Sequence, residues 1–121
     1  ITLLSGGEQA LTALSLMAGG LTAQQLIRAY YEYKNHYDHN GPDTSDSNLF
    51  MGYVYGISRM MIYHGDMTVP EGAHGHQYMR IVGKFLEDHP ELHHKNPALL
   101  VREALMEAFG PKPLPQKFVT Q

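Results

Sequence analysis

The chain of 121 residues has no cysteine. That excludes disulfides, a thiolate nucleophile and thiolate metal sites. It fits a cytoplasmic protein and an unstapled periplasmic one equally. The chain also lacks a strong excess of either charge. Nine Lys and Arg against twelve Asp and Glu leave a formal charge of −3, and the basic residues are scattered. Phosphate recognition rests on clustered cations, so nucleic acid is not the expected partner. No apolar run approaches the ~20 residues needed to cross a bilayer, so no membrane span is expected. From Ile1 the sequence has neither the basic n-region nor the apolar h-region of a signal peptide, as in a mature or trimmed product. The GxSxG, GxGxxG and HExxH patterns are missing as well, which leaves no expected catalytic residue, cofactor or metal.

What is present reads as helix. The length suits one domain, and 43% hydrophobic residues suit a buried core. Ser5 and Glu8 have capping-box spacing ahead of an apolar face from Ala10 to Ala18, closed by Gly19-Gly20. Thr22 and Gln25 repeat that spacing before a stripe of Ala23, Leu26, Ile27, Tyr30, Tyr33 and Tyr37, predicting a helix over about 22–37. Residues 38–48 read as one long acidic loop. Further helices are predicted over about 47–64, 75–88 and 97–109, the last with Asn96 as N-cap, Pro97 at the first position and Gly110-Pro111 as the stop. Tyr53 to Tyr55 and Met60 to Tyr63 are strand-like in composition but lie within a helical stripe. The expected fold is therefore all-α: a single compact domain of about five helices over residues 1–110, with a proline-rich tail over 111–121. The last three helices are expected to form the core, with the first two packed on it.

Several residues could carry chemistry. Eight histidines include His74 and His76 and the cluster His89, His93 and His94. His89 and His93 have the i, i+4 spacing of a helical metal pair, but Pro90 disfavours helix there. Capping or surface roles are expected, with helix C-termini favouring His64 and His89. Glu87, Asp88 and Glu91 read as a solvated helix end rather than an acid/base pair. Gly52 and Gly56, one turn apart, predict close approach of another backbone, chiefly within the fold. The seven methionines read as core filler. Tyr30, Tyr31, Tyr33 and Tyr37 cannot all face inward at ~100° per residue, and Tyr31 falls off the stripe. Exposed tyrosine beside an acidic loop is interface material.

The second half carries an ordered series: Gly52-Tyr53-x-x-Gly56, Val69-Pro70-Glu71-Gly72, Gln77, Phe85-Leu86-x-x-His89-Pro90-Glu91, His93, Pro97-Ala98, Leu100-Val101, Ala104-Leu105 and Ala108-Phe109. This resembles the Rap/Tai immunity proteins of type VI secretion systems over about residues 48–110, leaving the tyrosine-rich helix and acidic loop as this chain's own. Cysteines usual in that family are replaced here by residues such as Phe50, Thr68 and Pro111. The resemblance implies a small all-helical protein, usually periplasmic and often a homodimer. Such a protein binds and occludes a peptidoglycan amidase effector by surface loops, one placed in the toxin's cleft, and has no catalysis of its own.

The expected contact regions are the loop 38–48 and the turns 66–74 and 89–95. Asp43, Asp46, Glu71, Glu91 and His93 are the expected polar contacts, with Tyr31 and Tyr37 as aromatic anchors. Two other classes stay open: a histidine-dependent metal-binding protein or hydrolase, and a helical adaptor or phage-derived regulator with a cytoplasmic protein partner.

Overall fold

A computed structural model describes residues 20–111. Among these residues there are four α-helices and no strand: α1 (Ala23–His39), α2 (Ser45–Tyr63), α3 (Gly75–Asp88) and α4 (Pro97–Phe109), with a one-turn 3-10 helix at Pro90–Leu92. The helix expected over residues 5–18 and most of the proline-rich tail lie outside the described residues.

Local chemistry sets each boundary. At the start of α1 the Thr22 hydroxyl accepts from the Gln25 N–H at 3.1 Å, while the Gln25 side chain accepts from the Thr22 N–H at 2.8 Å. Two of the first-turn donors that a helix leaves unpaired are thereby satisfied. The helix ends at Asn40, whose φ of 56° is the left-handed conformation that asparagine tolerates better than most residues. Thr44 caps α2 through the Ser47 N–H at 3.1 Å, and Asn96 caps α4 through the Ala98 N–H at 2.8 Å. The long loop expected over 38–48 is thus only 40–44. Asp38 is in the last turn of α1, and Asp46 is in the first turn of α2, where the helix dipole favours an acid. Asp, Ser and Asn mark helix starts as readily as loops, which is why composition alone overextended this one.

One core joins all four helices. It includes Leu26 and Tyr33 from α1, Phe50 and Val54 from α2, Val82 and Leu86 from α3, and Leu100 and Leu105 from α4. Each buried aliphatic of this size stabilises the fold by about 1.5–3 kcal/mol. The helix α1 packs most extensively on α2 and also touches α3 and α4, so it is an integral wall of this core. Its close approach to α3 depends on Gly83, which is buried with the Tyr30 ring lying where a side chain would be. Gly52 behaves otherwise. It is exposed, with open space around its Cα, so the intramolecular close approach expected from Gly52 and Gly56 is not found there. The turn between α2 and α3 is pinned by buried Met67 and by a Thr68 N–H bond to the Phe109 carbonyl at 3.2 Å.

Candidate interaction surface

The helix α1 turns two faces to its surroundings. Tyr30 and Tyr33 enter the core, with ring centroids 5.3 and 5.6 Å from Phe50. Burial pushes both phenols above the usual tyrosine range. Positions 28, 31, 32 and 35 are offset by three and four residues and so share the outer side. Together with Asp46 at the start of α2, Arg28, Tyr31, Glu32 and Asn35 line a hollow of about 420 Å³. A second hollow of about 330 Å³ is lined by Leu21, Gln25, Arg28, Asp46 and Leu49. Arg28 and Asp46 belong to both, so the two form one groove along the α1–α2 seam.

Two of the seven residues singled out from sequence, Tyr31 and Asp46, therefore meet in one place. Tyr31 is 47% exposed, and its hydroxyl donates to Glu87 at 3.2 Å, bracing it against α3. Asp46 has no ion-pair or hydrogen-bond partner for its carboxylate among the described residues. The other five are dispersed. Tyr37, 44% exposed, packs its ring 4.8 Å from both Tyr33 and His76. Asp43 accepts from the Asn48 amide at 3.1 Å. Glu71 is exposed in the α2–α3 turn. Glu91 pairs with His89 at 3.0 Å, and that contact holds its carboxyl below the usual range. His93 is half-buried, and its Nε2–H donates to the Leu86 carbonyl at 2.7 Å, which spends that ring nitrogen on the end of α3.

Beside the groove a second polar cluster ties α1 to α3. The Arg80 guanidinium reaches both Asp38 oxygens, at 2.8 and 2.6 Å, as a planar fork matches a carboxylate. That pairing holds the Asp38 carboxyl below its ordinary range and raises Arg80 further. The same guanidinium lies 5.4 Å from the Tyr33 ring centroid, and the Tyr33 hydroxyl meets His76 Nδ1 at 2.5 Å. Asp38, read from sequence as part of an open acidic loop, is therefore neutralised.

Among the described residues no three or more His, Asp or Glu side chains are arranged to hold a metal ion. His64 and His89 stand at the C-cap positions of α2 and α3. Glu87, Asp88 and Glu91 engage Tyr31, Lys84 and His89 separately. An apolar hollow of about 210 Å³ between α2 and α4, with Ile57, Met60, His64 and Leu99 in its wall, contains none of the seven contact residues expected from sequence. Among the described residues no helix is long and apolar enough to cross a membrane.

Arg28 is the functional candidate that sequence reasoning passed over. Its signal was available, because Arg28, Tyr31, Glu32 and Asn35 form a polar i, i+3, i+4, i+7 set opposite the apolar stripe. Arg80 gave no local signal, since its partner lies 42 positions away.

Compared with known proteins, the chain matches a family model described as Rap1a immunity proteins over residues 22–110. No curated protein and no solved structure matches it. The family match takes in the tyrosine-rich helix and the loop after it. The expectation that this part stands outside the family pattern is corrected accordingly.

Proposed function

The chain belongs to the Rap1a immunity protein family, a family of toxin-neutralising proteins, and from that premise we propose how it neutralises its target. It binds and occludes a secreted peptidoglycan amidase in the periplasm and carries out no chemistry of its own. The match over residues 22–110 is the observation that carries this reading.

The geometry supports binding. Rigid capped helices present an exposed Tyr31 next to Arg28, Glu32 and Asp46, all without ion-pair partners among the described residues. Binding surfaces built on helices lose little conformational freedom on association, which favours affinity. The groove provides the first contact region, with Tyr31 as its aromatic anchor and Asp46 as its acid. Tyr37, Asp43, Glu71 and Glu91 extend the contact around the ends of α1 and α3, while His93 positions the turn at residues 89–95 through its bond to Leu86.

The test uses sensitive bacterial cells in which a secreted amidase-class protein, sought among the products of the genes adjoining this one, is directed to the periplasm. Co-expression of this chain with a periplasmic leader is expected to restore growth, and a cytoplasm-confined version is expected to leave the cells lysing. Equal lysis with and without the periplasmic chain would contradict the proposal.

A further inference from the structure

The hollow between α2 and α4 stays open although its walls are apolar. Ile57 and Met60 of α2 and Leu99 of α4 line its volume of about 210 Å³, and Leu99 is 53% exposed. Asp66 and Arg102, 3.6 Å apart, stand at its edge. Covering such a surface with apolar side chains is favourable at about 25 cal/mol per Å² removed from water.

The chain carries an occupant of matching character close by. The described residues stop at Pro111, and the sequence continues with KPLPQKFVTQ over 112–121. That stretch leaves from a fixed point. Gly110 is buried and its N–H donates to the Met106 carbonyl at 2.8 Å, while the Phe109 carbonyl accepts from the Thr68 N–H at 3.2 Å. Thr68 is two residues from Asp66, at most about 7 Å of chain, so the tail starts beside the hollow's own edge. Back along α4 from Gly110, Arg102 lies about 12 Å away and Leu99 about 17 Å, at 1.5 Å per residue. Pro111, Pro113 and Pro115 favour an extended rise of about 3.1 Å per residue. Four such steps, about 12 Å, bring Leu114 level with Arg102 and its successor towards Leu99. The prolines on either side of Leu114 have no N–H, so laying this stretch on an apolar wall strands fewer backbone donors. Residues 1–19 also carry apolar side chains, but they join the described fold at Leu21, which lines the other seam, between α1 and α2.

We propose that residues 112–116 fold back along α4 and seat Leu114 in this hollow against Met60 and Leu99, with the Lys112 cation on the side of the edge where Asp66 stands. The tail then completes the core between α2 and α4, and this face is closed to any other partner. The inference does not depend on the toxin-binding reading.

Because the chain has no cysteine, disulfide trapping in the full chain provides the test. Leu99→Cys is combined with Leu114→Cys, with Thr120→Cys or with Met17→Cys, and is also made alone, each under mild oxidation. The pair with Leu114→Cys is expected to close within the chain about tenfold faster than the pair with Thr120→Cys. A docked segment has one register, whereas a free tail brings both positions to Leu99 alike. Thermal melts give a second readout. Leu99→Ser and Leu114→Ser are each expected to lower the melting temperature by about 4 °C, and the double variant by clearly less than the sum, because both remove the same contact. Equal trapping rates at the two tail positions, or additive melting shifts, overturn the proposal. So does faster closure with Met17→Cys, which assigns the hollow to the amino-terminal residues, or cross-linking between chains by Leu99→Cys alone, which assigns it to a second copy.

Discussion

Replacing Gly83 with alanine probes the packing that places α1, and with it the groove, on the rest of the fold. In an isolated helix the change would be favourable by about 1 kcal/mol, because glycine loses more backbone freedom on folding. Here the added methyl would overlap the Tyr30 ring. That ring is buried, with the Phe50 and Tyr33 ring centroids 5.3 and 6.4 Å away. Overpacking of this kind costs typically 1–3 kcal/mol and occasionally more. Because the contact is to ring atoms and not to a flexible chain end, the upper part of that range applies. A net destabilisation of about 2 kcal/mol is expected after the helical gain, or a fall in melting temperature of about 8 °C for a chain of this length. Thermal melts followed by circular dichroism would measure it. In a Tyr30→Leu background the same substitution should cost much less, and the difference gives the coupling between the two positions. If Gly83→Ala is neutral or stabilising in the parent, α1 does not approach α3 as described here.

Other perturbations test separate parts of the structure. Ser47 is fully buried and its hydroxyl has no hydrogen-bond partner among the described residues, so Ser47→Ala is expected to leave stability unchanged or raise it by about 1 kcal/mol in urea unfolding. Removing the His93 donor strands the Leu86 carbonyl at the end of α3. His93→Ala should therefore lose about 1 kcal/mol in the same assay, with part of it recovered by His93→Gln. Asp38 titrates below its ordinary range when folded, because Arg80 binds its charged form. Its contribution to stability is therefore present above about pH 4 and fades as pH falls through the folded pKa. Carboxyl-carbon NMR should place the Asp38 midpoint below that of an ordinary aspartate, and Arg80→Gln should return it there.

Where the sequence was legible, local chemistry made it so. Thr22 with Gln25, Asn96 with Pro97, and Gly110 mark helix ends through interactions spanning a few residues, and the helices end there. The tyrosine stripe divides as its periodicity requires, with Tyr30 and Tyr33 inside and Tyr31 out. The overextended loop has an equally local cause, since Thr44, Ser45, Asp46 and Ser47 are the cap and first turn of α2. What periodicity does not encode is which faces meet. The Tyr31–Glu87 bond joins residues 56 positions apart, and the Arg80–Asp38 fork joins residues 42 apart. The same holds for the groove, which exists only because the start of α2 is laid against the outer side of α1. Gly52 shows the converse, a sequence signal for close packing at a position that proves open.

Occlusion of an enzyme by a protein that transforms nothing is the central proposal. Peptidoglycan hydrolysis by the proposed amidase-class target, measured while this chain is titrated in, tests that directly. The expected result is loss of hydrolysis in proportion to added chain, complete near stoichiometric equivalence and independent of metal chelator. Unabated hydrolysis at a clear molar excess of folded chain would contradict it.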